Sequence, residues 1–344
     1  MSSTPILEIR DLKKYFPVRK GFLSFLGGQR YVHAVDGVTF SVQPGDSLVI
    51  AGESGSGKTT LARTILRLIE PTAGSIRFQN EDVVAMTPEE LRPFRQKMQL
   101  IFQNPFEAID PRHTIHEVVS EPLVILDPGS TEDERESRVL SALEDVRLIP
   151  ADDFARRYPH ELSGGQLQRV AIARSLIVNP TLVIADEPVS MLDASIRTEI
   201  MNLMSDLQKE YGLTYIFITH DLAQARYIGE YIIILYLGRI MEMGPMEEVL
   251  QDPIHPYTQA LISNVPVPDP TEERDRIDIP GETPTPIDLP PECRFRPRCQ
   301  DFDELCSEDE PVLHQVSEDR FVACHGWEAR RKKKHKLTYS SDTK

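Results

Sequence analysis

The run Gly52-Glu-Ser-Gly-Ser-Gly-Lys58-Thr59 constrains this chain more than any other feature. It fits the spacing G-x-x-x-x-G-K-[ST] and sits between SLVIA (residues 47–51), which reads as a buried strand, and TLARTILRLI (residues 60–69), which reads as a helix. That setting marks a phosphate loop rather than a chance Gly/Ser run carrying a lysine. Gly52, Gly55 and Gly57, interleaved with Ser54 and Ser56, let backbone N–H groups curl around an anion. The helix start adds the positive end of its dipole, and Lys58 neutralises the outer phosphates of a nucleotide. Thr59 offers a hydroxyl to Mg2+, and Thr60 follows it into the helix.

A second apolar strand, Leu182-Val-Ile-Ala, runs into two adjacent carboxylates, Asp186 and Glu187. Side chains alternate along a strand, so the two acids are expected to face different ways and do different work. Asp186 suits a Mg2+ partner, and Glu187 suits a group that orients or deprotonates an attacking water. A strand ending in solvated acids is commonplace by itself; beside an intact phosphate loop it points to nucleotide hydrolysis.

The stretches at 47–51, 181–185 and 214–218 are short, rich in branched residues and bounded by Gly, Pro or charge, which predicts buried strands of a mainly parallel α/β sheet. Between about residues 104 and 178 the texture turns charged and helix-forming, as in Thr131-Glu-Asp-Glu-Arg-Glu-Ser-Arg-Val, and predicts a helical insertion. After residue 253 the chain becomes Pro-rich (VPVPDP, PGETPTPIDLPPE) and then carries all 4 cysteines. The expected organisation is a nucleotide-binding domain over residues 1–260, an extension over 261–328 and a basic, disordered tail over 329–344.

Composition narrows the function classes. Lys and Arg total 38 against 54 for Asp and Glu, and a net charge of -16 argues against nucleic acid as a partner. The basic run 330–336 is the local exception; it reads as a solvated end, or as a contact for anionic lipid headgroups. The longest apolar stretches, such as 231–237, fall far short of the ~20 residues needed to cross a bilayer as a helix. No secretion signal is legible in the opening residues, and a cytosolic location is expected.

Leu162-Ser163-Gly164-Gly165-Gln166, followed by Leu-Gln-Arg169-Val-Ala-Ile-Ala-Arg174, resembles the signature motif of ABC ATPases. Physically it is a second anion cradle, with a Ser hydroxyl and Gly amides at a helix start. The resemblance implies a P-loop NTPase fold of the ABC type. It also implies a head-to-tail dimer in which each ATP lies between one subunit's phosphate loop and the other's signature. Other positions match the family one by one. Gln103 in Leu-Ile-Phe-Gln-Asn-Pro corresponds to the glutamine that touches Mg2+ and water. His220 in Ile-Thr-His-Asp corresponds to the switch histidine at the γ-phosphate. Ser190-Met-Leu-Asp193 corresponds to the loop that crosses the dimer interface, with Met191 where alanine is more frequent. The aromatic that stacks on adenine is expected at Tyr15 or Phe16, with Phe16 aligning better.

The opening Leu12-Lys-Lys-Tyr-Phe-Pro-Val-Arg-Lys-Gly, the loop before Val32-His-Ala-Val-Asp-Gly-Val, and His255-Pro-Tyr-Thr-Gln-Ala-Leu are similar to ATPases of dipeptide and oligopeptide importers. Cys293, Cys299, Cys306 and Cys324 are spaced C-x5-C-x6-C-x17-C. Thiols concentrated this way in a cytosolic protein suit metal ligands better than disulfides, but they lack the close pairs usual for structural zinc. In the resembling importers a similar extension carries a [4Fe-4S] cluster, which makes iron–sulfur the leading assignment, with zinc and unligated or disulfide-forming thiols as alternatives. The implied partners are a second ABC ATPase subunit (the same chain or a sister chain), two membrane permeases and an extracytoplasmic substrate-binding protein. The chain itself would be peripheral on the cytoplasmic side of the cell membrane. Relatives with other cargo (nickel, sugars, opines) and ATPase subunits of soluble complexes remain the rival readings.

Overall fold

The three apolar runs expected to be strands are strands. In the computed structural model, which describes residues 4–18, 29–265 and 276–332, the strands in chain order are β1 (Leu7–Pro17), β2 (Tyr31–Val42), β3 (Ser47–Ala51), β4 (Ala73–Phe78), β5 (Glu81–Asp82), β6 (Met98–Ile101), β7 (Leu182–Asp186), β8 (Thr214–Thr219), β9 (Tyr231–Tyr236), β10 (Arg239–Pro245), β11 (His314–Ser317) and β12 (Arg320–Val322). Every residue of β3, β7 and β8 is buried, which is why these strands read as continuous apolar runs without alternation. The loop at 19–28, residues 266–275 of the proline-rich stretch and all but the first residues of the basic run 330–336 lie outside the described residues.

The chain divides into two compact units. One comprises Met1–Ile6, Val42–Ser47 and Gln79–Ile218. Its strands β6, β7 and β8 run parallel, with Met98 opposite Leu182 and Leu182 opposite Thr214. Between β6 and β7 every described element is helical, as the texture of that stretch predicts: the longer helices are Ile115–Leu126, Glu132–Asp145 and Gly164–Leu176. Thr114 and Thr131 start the first two through capping boxes, each Thr hydroxyl accepting from a Glu amide while that Glu carboxylate accepts from the Thr amide. Val139, Ala142 and Leu143, spaced three and four apart, bury one face of Glu132–Asp145 and leave its acidic face outside.

The other unit comprises Leu7–Ser41, Leu48–Phe78 and Thr219–Lys344. Here β3 runs parallel to β9, Leu48 opposite Tyr231, and β9 then pairs antiparallel with β10. The pairing continues outward through β12 to β11, both antiparallel. In a separate sheet β1 lies between β2 and β4, antiparallel to β4. The sheets are therefore mixed, and the expectation of a mainly parallel sheet holds only for the central strands.

One buried ion pair attaches the C-terminal strands. Glu242 on β10 is fully buried and accepts from Arg320 Nη2 at 2.7 Å and from the amides of Ile254 and His255 at 3.1 and 2.9 Å. Burial pushes this carboxyl above its ordinary value even though Arg320 pulls it down. Removing one partner of such a pair strands a charge in the interior. Arg320→Met should lower the urea-measured unfolding free energy by about 3 to 5 kcal/mol, and adding Glu242→Gln should recover part of it. A loss below about 1 kcal/mol would mean that the pair contributes no more than a surface one.

Candidate ATP-hydrolysis site

The phosphate loop turns in a space that only glycine fits. Gly52 has φ 152°, and a Cβ there would lie 2.2 Å from the Leu235 carbonyl oxygen of β9. Gly57 has φ 104°, and its Cβ would lie 2.1 Å from the Ala34 carbonyl oxygen of β2. Between them Ser54 and Gly55 form an exposed crest, Ser56 is fully buried, and the Ser56 carbonyl accepts from the Gly238 amide at 2.8 Å. Lys58 opens the helix Lys58–Ile65 and bends back into the loop, donating to the carbonyls of Gly52 at 2.8 Å and Glu53 at 2.9 Å. Thr59 and Thr60 follow in the first turn of the same helix. A buried ammonium is thus ringed by oxygens inside a loop open on one side, the arrangement an anion with several oxygens can enter.

In the other unit the two acids differ more than strand alternation requires. Asp186 ends β7 and is 5% exposed, whereas Glu187 lies past the strand with φ 47°, in the left-handed region. Its amide donates to the Ile218 carbonyl of β8 at 2.9 Å, and its side chain accepts from Gln103 Nε2 at 2.9 Å. A turn, not the pleat alone, swings Glu187 out to meet Gln103, whose amide fixes the carboxylate's orientation. Ser190 closes this turn by donating its hydroxyl to the Glu187 carbonyl at 3.1 Å. Met191 beyond it is 66% exposed, and Asp193 precedes the long helix Ala194–Tyr211.

Ser163 caps the 13-residue helix Gly164–Leu176 through a capping box with Gln166: the Ser163 hydroxyl accepts from the Gln166 amide at 3.3 Å, and the Ser163 amide donates to Gln166 Oε1 at 3.0 Å. Gly165 is required by packing, since a Cβ would come within 2.6 Å of Ile196 Cγ2. Ser163 and Gly164 are exposed, so the cradle faces outward. His220 is exposed at the end of β8, next to Asp221, which caps the following helix.

Residues 35–190 match the ABC transporter family, and residues 241–306 match the oligopeptide/dipeptide transporter C-terminal region. The oligopeptide transport ATP-binding protein AppF of Bacillus subtilis is 46% identical over 93% of this chain and 97% of its own length. The dipeptide transport ATP-binding protein DppF of Haemophilus influenzae is 43% identical over 94% and 97%. Among solved structures, the dimeric post-hydrolysis state of the ATP-binding cassette MJ0796 bound to ADP and Pi superposes with a TM-score of 0.61 at 33% identity, covering 70% of this chain and 98% of that one. This chain is an ATPase of the ABC transporter family. It belongs to the oligopeptide/dipeptide transporter branch, and its cassette fold is the one the phosphate loop and signature predict.

Tyr15 and Phe16, the two aromatics expected near the adenine, differ in what they already touch. Tyr15 stacks on His33 with ring centroids 4.1 Å apart and donates its hydroxyl to Asp36 Oδ1. Phe16, at the far end of β1, is 37% exposed, with Lys14 Nζ over its ring at 4.9 Å. Asp36 itself is 5% exposed and also takes the Arg294 guanidinium. These partners, and several residues below, carry no motif spacing and went unread in the sequence.

In the C-terminal region Cys293, Cys306 and Cys324 are buried and Cys299 is half-buried, all as free thiols. Burial pushes the Cys293 thiol up to about 12, and the sulfurs of Cys306 and Cys324 add to the shift. Burial likewise raises the other three, with fellow thiols adding to the shift at Cys299 and Cys306. The quartet therefore converges. Yet among the described residues no three Cys, His, Asp or Glu side chains stand close enough to enclose a single metal ion. The thiols as placed therefore support neither the zinc nor the iron–sulfur reading of the quartet.

Asp36 gives this unit a pH signature. Burial opposes its charge, but the Tyr15 hydroxyl and the Arg294 and Arg239 guanidiniums more than offset that and hold its pKa at about 2, below the ordinary 3.8. A carboxylate whose pKa falls on folding stabilises the fold above its unfolded value and loses that contribution as pH falls. The stability gap between wild type and Asp36→Asn should therefore be widest above pH 3.8 and narrow toward about 2. Denaturant melts across that window check it; a constant gap would remove the ionised Asp36 from the fold's stability.

Proposed function

We propose that this chain is the ATP-hydrolysing motor of a membrane importer for di- and oligopeptides, working as one half of a dimer of such subunits. The observation that carries the hydrolytic part is the Gln103–Glu187 hydrogen bond at 2.9 Å, which presents an oriented carboxylate where a water can be activated. The cargo rests on the match of residues 241–306 to the oligopeptide/dipeptide transporter C-terminal region and on relatives named for that transport.

In this reading the amides of residues 52–57 and the Lys58 ammonium take the phosphates, with oxygens of the nucleotide replacing the carbonyls that Lys58 now contacts. Phe16 stacks on the adenine. Mg2+, held by Thr59, Gln103 and Asp186, would draw charge off the phosphates. Glu187 takes the proton of the attacking water while His220 donates toward the γ-phosphate. Ser163, Gly164, Gly165 and Gln166 serve the nucleotide of the other subunit, and Ser190 and Asp193 line the shared interface, with the exposed Met191 beside them. Closing and reopening of the dimer passes to two permeases through the segment after Gln103, where Phe106 is 60% exposed. A substrate-binding protein would deliver the peptide from outside. No helix among the described residues is long and apolar enough to cross a membrane, in keeping with a peripheral position on the cytoplasmic side.

For the extension, residues 261–328, we favour a [4Fe-4S] cluster on Cys293, Cys299, Cys306 and Cys324. The support is the match to the oligopeptide/dipeptide transporter C-terminal region and the four free thiols gathered in that part of the chain. Bound there, the cluster would tie the segment around Cys293 to the one around Cys324; no step of hydrolysis is assigned to it.

Glu187→Gln should bind ATP and trap the dimer, with hydrolysis reduced at least ~100-fold; gel filtration with ATP and a phosphate-release assay read both. Lys58→Ala should fail to bind, and normal turnover in Glu187→Gln would take Glu187 out of its role. Anaerobic purification should yield a protein absorbing near ~400 nm with iron and sulfide in equal amounts, lost in Cys299→Ser. Iron retained in that variant would defeat the four-thiol set.

A further inference from the structure

Two arginines of the cysteine-bearing segment reach into the nucleotide-binding segments of the same unit. Arg294, next to Cys293, contacts Asp36, the partner of Tyr15. Arg298, next to Cys299, contacts Glu53, the second residue of the phosphate loop. Nothing in the motif assigns a role to Glu53, yet both its carboxylate oxygens and its backbone amide are bonded. Its Oε2 accepts from Arg298 Nη1 at 2.6 Å and from the Thr283 hydroxyl, and its Oε1 accepts from Arg298 Nη2 at 3.2 Å. Its backbone amide donates to the Tyr257 hydroxyl at 2.8 Å.

The guanidinium is itself set in place. Arg298 is 7% exposed, donates to the carbonyls of Pro280 at 3.1 Å and Gly281 at 3.2 Å, and lies 5.8 Å from the centre of the Tyr236 ring. A two-pronged Arg–carboxylate contact fixes orientation as well as charge. The restraint matters because of what stands beside it. Lys58 donates to the carbonyl of Glu53 at 2.9 Å and also acts electrostatically on its carboxylate. A carboxylate released into the loop would compete for the ammonium that the phosphates need and would repel the phosphates themselves, at short range and half out of water.

We propose that Arg298 is a positioning residue for ATP binding, which draws the Glu53 carboxylate away from the phosphate loop and so leaves Lys58 to the nucleotide. The inference rests on the phosphate-loop reading above and extends it: the C-terminal extension sets nucleotide affinity from behind the loop, through a contact one residue from Cys299.

The test uses the full chain, with binding of a fluorescent ATP analogue and Mg2+ measured beside steady-state hydrolysis. Arg298→Met should raise both the analogue's Kd and the KM for ATP about tenfold, equivalent to about 1.4 kcal/mol, with kcat little changed. Adding Glu53→Gln to Arg298→Met should restore affinity, because the competing charge is then gone; Arg298→Lys should fall between wild type and Arg298→Met. A purely structural arginine would leave the double variant as weak as the single one, and that result overturns the proposal, as does unchanged affinity in Arg298→Met. If Arg298→Met does not fold, Thr283→Val decides, since it removes one donor from the same carboxylate: a rise in KM supports the proposal and an unchanged KM overturns it. Wild-type protein that binds no nucleotide would instead remove the phosphate-loop reading and this inference together.

Discussion

The phosphate loop can exist only because two strand carbonyls close in on it from either side. Leu235 O on β9 blocks any side chain at position 52, and Ala34 O on β2 blocks any at position 57. The first contact arises because β9 runs parallel beside β3, which places Leu235 beside the end of the strand that delivers the loop. The chain beyond β9 contributes too, since the Gly238 amide holds the Ser56 carbonyl at 2.8 Å. A local motif is thus completed by residues nearly two hundred positions away, and the loop's shape reports on the packing of the whole unit.

Much of this was legible in the sequence because the central strands are buried on both faces and the motifs carry their own glycines. Residues 47–51 and 214–218 read as strands and are strands, and the TLVIA run is displaced by one residue because Thr181 spends its amide on Lys97 before the ladder starts. The helical stretch between β6 and β7 was readable from its charged, helix-forming texture. What escaped were strands without an apolar signature. HQVS and RFV, the sequences of β11 and β12, are too short and too mixed to alternate, and they are strands because β10 offers them an edge and Glu242 offers Arg320 a partner. β2 and β4, which flank β1, escaped for a similar reason: half-buried strands with charged residues interleaved resemble loops.

In the site, residue types were readable and conformations were not. Asp186 and Glu187 were marked by their place after an apolar run, but the left-handed turn at Glu187 that brings it to Gln103 has no signal in the letters around it. The partners of Glu53 and Asp36 lie about 250 positions along the chain in a proline-rich region. Ion pairs of that kind depend on tertiary placement alone, so no spacing rule can find them. The cysteines were visible as a group, but the packing of Cys324 among Ile254, Val322 and Trp327 was not.

The cap at Ser163 carries a consequence for how a helix can grip a passing anion. A hydroxyl has two acceptor sites and one proton, and the Gln166 amide occupies only an acceptor site. The proton remains to be turned outward. One O–H group can therefore hold the first turn together and donate to an oxygen at the same time. The Ser163 hydroxyl thus keeps its proton available for a further acceptor while the cap remains closed.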